Sequence, residues 1–177
     1  VAVKGLGGYH LVCDAANEAA LAALRHRKHR PGKAFAVMVA SVEEARALCE
    51  VNDAEARQLT SPARPIVLLR KRSDAMLAKG LADNLPELGV MLPTTPVQHL
   101  LLHECGGMLV MTSGNIHDEP IVIDEETAFS QLAGVADAFL VNNREIVGRY
   151  DDSVIRILNG GAAGDIVQFI RRARGYA

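Results

Sequence analysis

The sequence predicts an α/β domain in which helices pack on a mixed β-sheet. Two observations carry that expectation. Early in the chain, helix and strand signals interleave, whereas hairpin signals dominate late. The bulk composition, 49% hydrophobic and 23% charged over 177 residues, is that of an ordinary soluble globular protein. At this length one domain over residues 1–177 is expected. It starts in mid-strand style without an initiator Met, so it is expected to be a piece of a longer polypeptide.

The elements follow in order. Val1–Lys4 reads as a short strand that runs into the glycine-rich "KGLGG". Asn17 is an N-cap with Glu18 in the first turn, Leu21 and Leu24 have helical spacing, and Pro31 is expected to stop the helix. "KAFAVMVA" puts Phe35, Val37 and Val39 on one face of a strand. Ser41 opens a capping-box helix with Glu44, to about Cys49, and Asn52 with Glu55 repeats the signal. "RPIVLLR" and "LGVML" read as strands with an irregular Ser73–Pro86 between them. Thr95 and Pro96 then start a helix through His103. "GMLVMTSGN" reads as a buried strand ending in a polar turn, and Asp124 opens a helix to about Leu132. The rest is strand-rich: "DAFLV", "SVIRIL" and "DIVQFI", the last two joined by "NGGAAG".

Composition excludes several function classes. No apolar run approaches the length of a membrane span, and no secretory signal opens the chain. Cys13, Cys49 and Cys105 are odd in number and lack a CxxC pair. A disulfide framework or zinc ribbon is therefore not expected, and a reducing cytoplasm is. The pI near 6.3 and 4% aromatic content argue against an RNA-binding module, double-stranded RNA included. Yet eight of the 19 Lys and Arg residues lie in two pieces, Arg25–Lys33 and Arg171–Arg174. Charge that local suits a small anionic ligand.

No P-loop, GxGxxG, HExxH or GxSxG motif is present. His99 and His103 are i,i+4 partners without a third ligand, on a helix that reads as packing, so no metal site is predicted. The stretch "RHRKHRPGK" has two readings. Arg25, Arg27 and Lys28 can simply complement the C-terminal dipole of a helix, about 0.3–1 kcal/mol each. Alternatively, Lys28, Arg30 and Lys33 form an anion-binding fork at the head of the next strand, and Arg25 contributes to neither binding nor stability. "TSGN", Thr112 to Asn115, is either a plain turn or a site where backbone can approach a phosphate or sugar beyond a strand end.

Taken together, the KxR fork (Lys28, Arg30) and the SxN turn (Ser113, Asn115) resemble the paired signature of the YrdC-type nucleotide-binding domains. The blocks "KGLGGYHLVCDA", "RKHRPGKAFAVMV", "SPARPIVLL", "LGVMLP", "LVMTSGN", "DEPIV", "RYDDSVIR" and "RRARGYA" are similar to the YrdC-like domain of the HypF carbamoyltransferases of hydrogenase maturation. Relatives that make threonylcarbamoyl-adenylate for tRNA modification carry a Pro-Thr-Asp/Glu-Thr-like run leading to Tyr-Gly-Leu. Here Lys4-Gly5-Leu6-Gly7-Gly8-Tyr9-His10-Leu11 takes that place. That tRNA-modifying activity and RNA binding are the alternatives.

The resemblance implies an open twisted sheet of parallel and antiparallel strands. It also implies ATP-dependent adenylation of carbamate, derived from carbamoyl phosphate, with Mg²⁺, and later passage of the carbamoyl group to HypE through a transfer domain outside these residues. By the same resemblance, Lys28 and Arg30 meet the ATP phosphates, with Lys33 as a helper. Thr112, Ser113 and Asn115 line the phosphate or ribose. Asp152 and Ser153 border the nucleotide, Arg172 and Arg174 close the site, and Lys4 faces the carbamoyl pocket.

Overall fold

In the computed structural model, which describes residues 1–116, 119–161 and 164–176, all nine strands form one open sheet. The strands are β1 (Ala2–Lys4), β2 (Tyr9–Asp14), β3 (Ala36–Met38), β4 (Ile66–Arg70), β5 (Glu87–Met91), β6 (Leu109–Ser113), β7 (Phe139–Leu140), β8 (Val154–Asn159) and β9 (Asp165–Arg171). Their order is β7-β1-β2-β6-β3-β5-β4-β8-β9. Three neighbouring pairs, β1/β7, β3/β5 and β4/β8, are parallel and the other five are antiparallel, so the mixed sheet is as expected.

Five helices sit where local caps place them: α1 (Glu18–Arg27), α2 (Val42–Leu48), α3 (Asp53–Thr60), α4 (Pro96–Cys105) and α5 (Glu125–Gln131). Asn17, Ser41, Asn52, Thr95 and Asp124 each accept a bond from a backbone N–H three residues on. Asn52/Glu55 and Thr95/Gln98 form complete capping boxes. In α2 the returning bond differs, since Glu44 Oε2 accepts from Ala40 N rather than from Ser41. α4 runs two residues past His103 and ends at Gly106, whose φ of 66° a glycine adopts without strain.

Two expectations change. β2 has no counterpart in the sequence prediction. It is a central strand covered on both faces, so Tyr9, Leu11 and Val12 are all buried and the period-2 signal is lost. α1 ends at Arg27 rather than at Pro31. Lys28 is its C-cap and His29 turns left-handed at φ 51°, seven residues before β3 begins to pair at Ala36. Part of the "NGGAAG" turn (162–163), Asp118 of "DEPIV" and the final Ala177 lie outside the described residues.

The two faces of the sheet are covered differently. On one, Leu11, Val37, Val67, Val90, Val110 and Ile155 form the main core with Leu21 and Leu24 of α1, Ala45 of α2, Leu59 of α3 and Ala128 of α5. Fully burying such a side chain contributes roughly 1.5–3 kcal/mol. On the other, Val3, Val12, Met38, Met91, Leu109 and Met111 form a smaller cluster with Leu102, Val97 and Leu101 of α4. Among the described residues no helix covers the rest of that face.

Candidate functional site

The uncovered part of the sheet is a cavity of about 970 Å³. Its floor can be read from the register. His10 pairs with Ser113, Ala36 with both Met111 and Gly89, Leu68 with Gly89, and Ile66 with Val154. Directly paired residues share a face, as do residues two apart on one strand. All of these therefore face the cavity, and all line it. Small residues keep the floor low: a Cβ at Gly89 would sit 3.1 Å from Ile66 Cγ2 and 3.4 Å from Ala36 Cβ.

The rim is basic. Lys28 is only 3% exposed, because the α1 C-cap drives it inward. Its Nζ donates to Ser113 O at 2.5 Å, Asn115 O at 2.7 Å and Asn115 Oδ1 at 2.7 Å. Every partner is a neutral oxygen, and burial together with the nearby charges of Arg30 and Lys33 lowers its pKa to about 7. The left-handed turn at His29 then lets Arg30 follow onto the same site. Arg30 Nη1 donates to Thr112 Oγ1 at 3.0 Å and Nη2 to Ala34 O at 2.8 Å. Burial, with Arg25 and Arg171 nearby, lowers its pKa to about 10. Among the described residues neither Lys28 nor Arg30 has a carboxylate within ion-pair distance. Lys33, exposed, lines the same cavity.

The turn after β6 completes this end. Ser113 Oγ donates to Asn115 Oδ1 at 2.8 Å, and Asn115 Nδ2 donates to Glu119 O at 2.6 Å. Gly114 is required here, since a Cβ would stand 2.6 Å from Tyr9 O. The glycines of "KGLGG" serve close packing too. A Cβ at Gly7 would meet the Tyr150 ring at 2.5 Å, and one at Gly8 would meet Ile121 at the same distance.

Arg25 corrects the expectation made for it. Its Nη1 donates to Arg30 O (3.0 Å) and Lys33 O (2.9 Å), and its Nε to Gly80 O (2.7 Å). The guanidinium also stacks 4.4 Å from the Phe35 ring centroid. It ties the basic loop to the irregular Ser73–Pro86 segment. Arg27 points away, to Asp137 at 2.7 Å.

The structure brings Lys28, Arg30, Lys33, Thr112, Ser113, Asn115 and Asp152 together around the cavity. The other candidates lie elsewhere. Ser153 is fully buried, accepting from Ala173 N and donating to Arg174 O. Arg174 binds Asp152 and the carbonyls of Ala63 and Arg64. Arg172 donates to Tyr176 O on the outer surface. Lys4 pairs directly with Tyr9, so it shares the helix-covered face rather than that of His10. There it holds Glu125 Oε1 at 2.8 Å and Asn142 O at 3.0 Å. His10, Asp151 and Arg171 also line the cavity and were not singled out from sequence. For Arg171 the signal was present, since it belongs to the second basic piece. Its Nη1 meets Asp151 Oδ2 at 3.0 Å.

Burial alone would raise the pKa of Asp152, but the bonds and charges of His10 and Arg174 outweigh it and hold the carboxyl well below the usual range. Burial pushes Cys13 up to about 11, which makes it a poor nucleophile, and all three cysteines are free. His99 and His103 are exposed on α4. Among the described residues no group of three His, Cys, Asp or Glu could hold a metal ion, and no helix is long and apolar enough to cross a membrane.

A family model described as Telomere recombination, for the Sua5/YciO/YrdC proteins, matches residues 1–173. The chain is 51% identical to carbamoyltransferase HypF2 of Cupriavidus necator, over 99% of this chain and 23% of that protein. It is 45% identical to carbamoyltransferase HypF of Synechocystis, over 100% of this chain and 22% of that one. The chain thus spans less than a quarter of the length of these relatives. A crystal structure of full-length HypF in the phosphate- and nucleotide-bound form superposes with a TM-score of 0.93 at 51% identity, over 99% of this chain and 27% of that one. Sua5 of P. abyssi complexed with L-threonine shares the fold, with a TM-score of 0.81 at 18% identity over 97% of this chain and 49% of that one. The match from end to end, in sequence and in fold, means that the chain belongs to the Sua5/YciO/YrdC family and matches the HypF carbamoyltransferases within it.

Proposed function

We propose that the chain binds ATP in this cavity and adenylates carbamate, giving carbamoyl-adenylate and pyrophosphate. This would be the activating step of a HypF-type carbamoyl transfer whose carbamate derives from carbamoyl phosphate and whose later acceptor is HypE. The observation that carries the reading is the pair Lys28 and Arg30. Lys28 is buried and Arg30 half-buried at one end of the cavity, and both have only neutral oxygens as partners. Buried cations without counter-charge are costly, and a polyphosphate supplies the missing charge. The apolar floor of Ala36, Gly89, Ile66 and Leu68 suits a planar base, and about 970 Å³ accommodates a nucleotide.

The chemistry needs no proton transfer. A carbamate oxygen attacks the α-phosphorus, the bond to the bridging oxygen breaks, and pyrophosphate leaves with the electron pair. The obstacle is repulsion between two anions, so fixed positive charge is what lowers the barrier. Lys28 and Arg30 supply it and orient the phosphates, with Lys33 at the rim. Mg²⁺, carried in on the triphosphate, would neutralise charge on the leaving group. Asp151, half-exposed at the rim, is the cavity carboxylate available to its hydration shell. The test is carbamate-dependent exchange of labelled pyrophosphate into ATP. Exchange that appears only with carbamate supports the assignment, and absence of exchange with saturable ATP binding intact removes it.

A further inference from the structure

Two cavity residues have no part in holding phosphate: His10 and Asp152. A carboxylate is out of place beside a polyanion unless its charge is already met, and here it is. Asp152 Oδ1 accepts from Arg174 Nε at 2.9 Å and Nη2 at 2.7 Å, while Oδ2 stands 3.3 Å from His10 Nε2. Arg174 is itself anchored by Ala63 O and Arg64 O. The chain of contacts runs from the backbone through Arg174 and Asp152 and ends on the imidazole.

That imidazole is held at both of its nitrogen edges. Nε2 is occupied by Asp152. Nδ1 is buried without a partner, facing the turn at Gly5, where a Cβ would come within 2.9 Å of it. Because Gly5 has no side chain, the turn lies against this edge of the ring and backs it, and with Nε2 on Asp152 neither nitrogen is offered to the cavity as a base. What it presents is a fixed surface, 13% exposed, on β2 directly across from Ser113. Lys28 grips Ser113 O, so this surface borders the point where the phosphate-holding charge enters.

We infer that His10, locked by Asp152 and Arg174, is a specificity-determining wall that limits the acyl group to the size of an unsubstituted carbamate. The inference rests on the adenylation reading above. A rigid wall can reject one extra methyl group by tenfold or more, whereas a mobile side chain would yield to it.

The experiment is pyrophosphate exchange with carbamates formed in solution from bicarbonate and ammonia, methylamine or threonine. The parent chain is expected to prefer the unsubstituted carbamate over N-methylcarbamate by at least about tenfold, and over N-carboxythreonine by more. His10→Ala should narrow the first ratio to about threefold or less through a gain with the larger acids. His10→Gln, which refills the space and can still donate to Asp152, should restore it. Should His10→Ala fail to fold, His10→Asn, shorter but still able to bond Asp152, must shift the ratio in the same direction. A merely structural role would lower all three rates together and leave the ratios alone, which overturns the inference. If the parent shows no carbamate-dependent exchange, the adenylation reading fails and takes the wall with it. If it does, and the variants keep its selectivity, only the wall fails.

Discussion

The two basic pieces of the chain have similar composition and opposite uses. In Arg25–Lys33, the residues that reach the cavity most deeply, Lys28 and Arg30, end on neutral oxygens. In Arg171–Arg174, Arg171 meets Asp151 and Arg174 meets Asp152. A cation already matched by a carboxylate holds the fold, while one left unmatched in a cavity is kept for a ligand. The difference lies in the partners rather than in the charge.

The largest effect should come from breaking a matched pair. Arg174→Ala leaves Asp152 buried with only His10 beside it, so stability should fall by about 3–5 kcal/mol. For a chain of this size that lowers Tm by about 2–4 °C per kcal/mol, readable by calorimetry. An unchanged Tm would erase the distinction between the two pieces.

Next comes the unmatched side. Lys28→Met should weaken ATP binding roughly a hundredfold, the loss of strong charge-assisted bonds. The pH dependence sharpens this. The free protein holds Lys28 near pKa 7, and a bound polyphosphate raises it, so binding takes up a proton above pH 7. Affinity for ATP should therefore fall as pH rises from 7 towards 9, by up to about tenfold per unit. Titration calorimetry in buffers of different ionisation enthalpy reads the proton directly. In the absence of ligand the sign reverses. The unfolded chain keeps this proton up to its ordinary value of 10.5, so the Lys28 contribution to stability rises between about pH 7 and that value.

Arg25 belongs to the first piece but behaves like the second. Its bonds to the carbonyls of Arg30, Lys33 and Gly80 predict that Arg25→Ala costs about 2 kcal/mol of stability, checked by urea unfolding. Arg30→Lys keeps the charge and loses the planar fork that spans Thr112 and Ala34. It should weaken ATP binding about tenfold. The smallest effect is at His29, where φ is 51°. His29→Val should destabilise by about 1 kcal/mol and His29→Gly by less, because a β-branched side chain is the most strained in this region and glycine is not strained at all.

The helix starts were legible because each is a local bond. Asn17, Ser41, Asn52, Thr95 and Asp124 all accept from a residue three positions on, so the pattern and its partner lie in one short window. The KxR and SxN stretches were legible as residue types for the same reason, and the structure joins them through Lys28. Composition alone also marked the positive charge as local. Which face each residue serves was not legible. Lys4 and His10 lie on adjacent strands one residue out of register, and that single step puts them on opposite faces of the sheet. His10 and Asp152 are 142 residues apart, and Arg174 meets Asp152 only because β4, β8 and β9 lie side by side. Side-chain alternation is a property of one strand, but cavity, partner and burial depend on strand order, which is set by how the whole hydrophobic core closes rather than by any one segment.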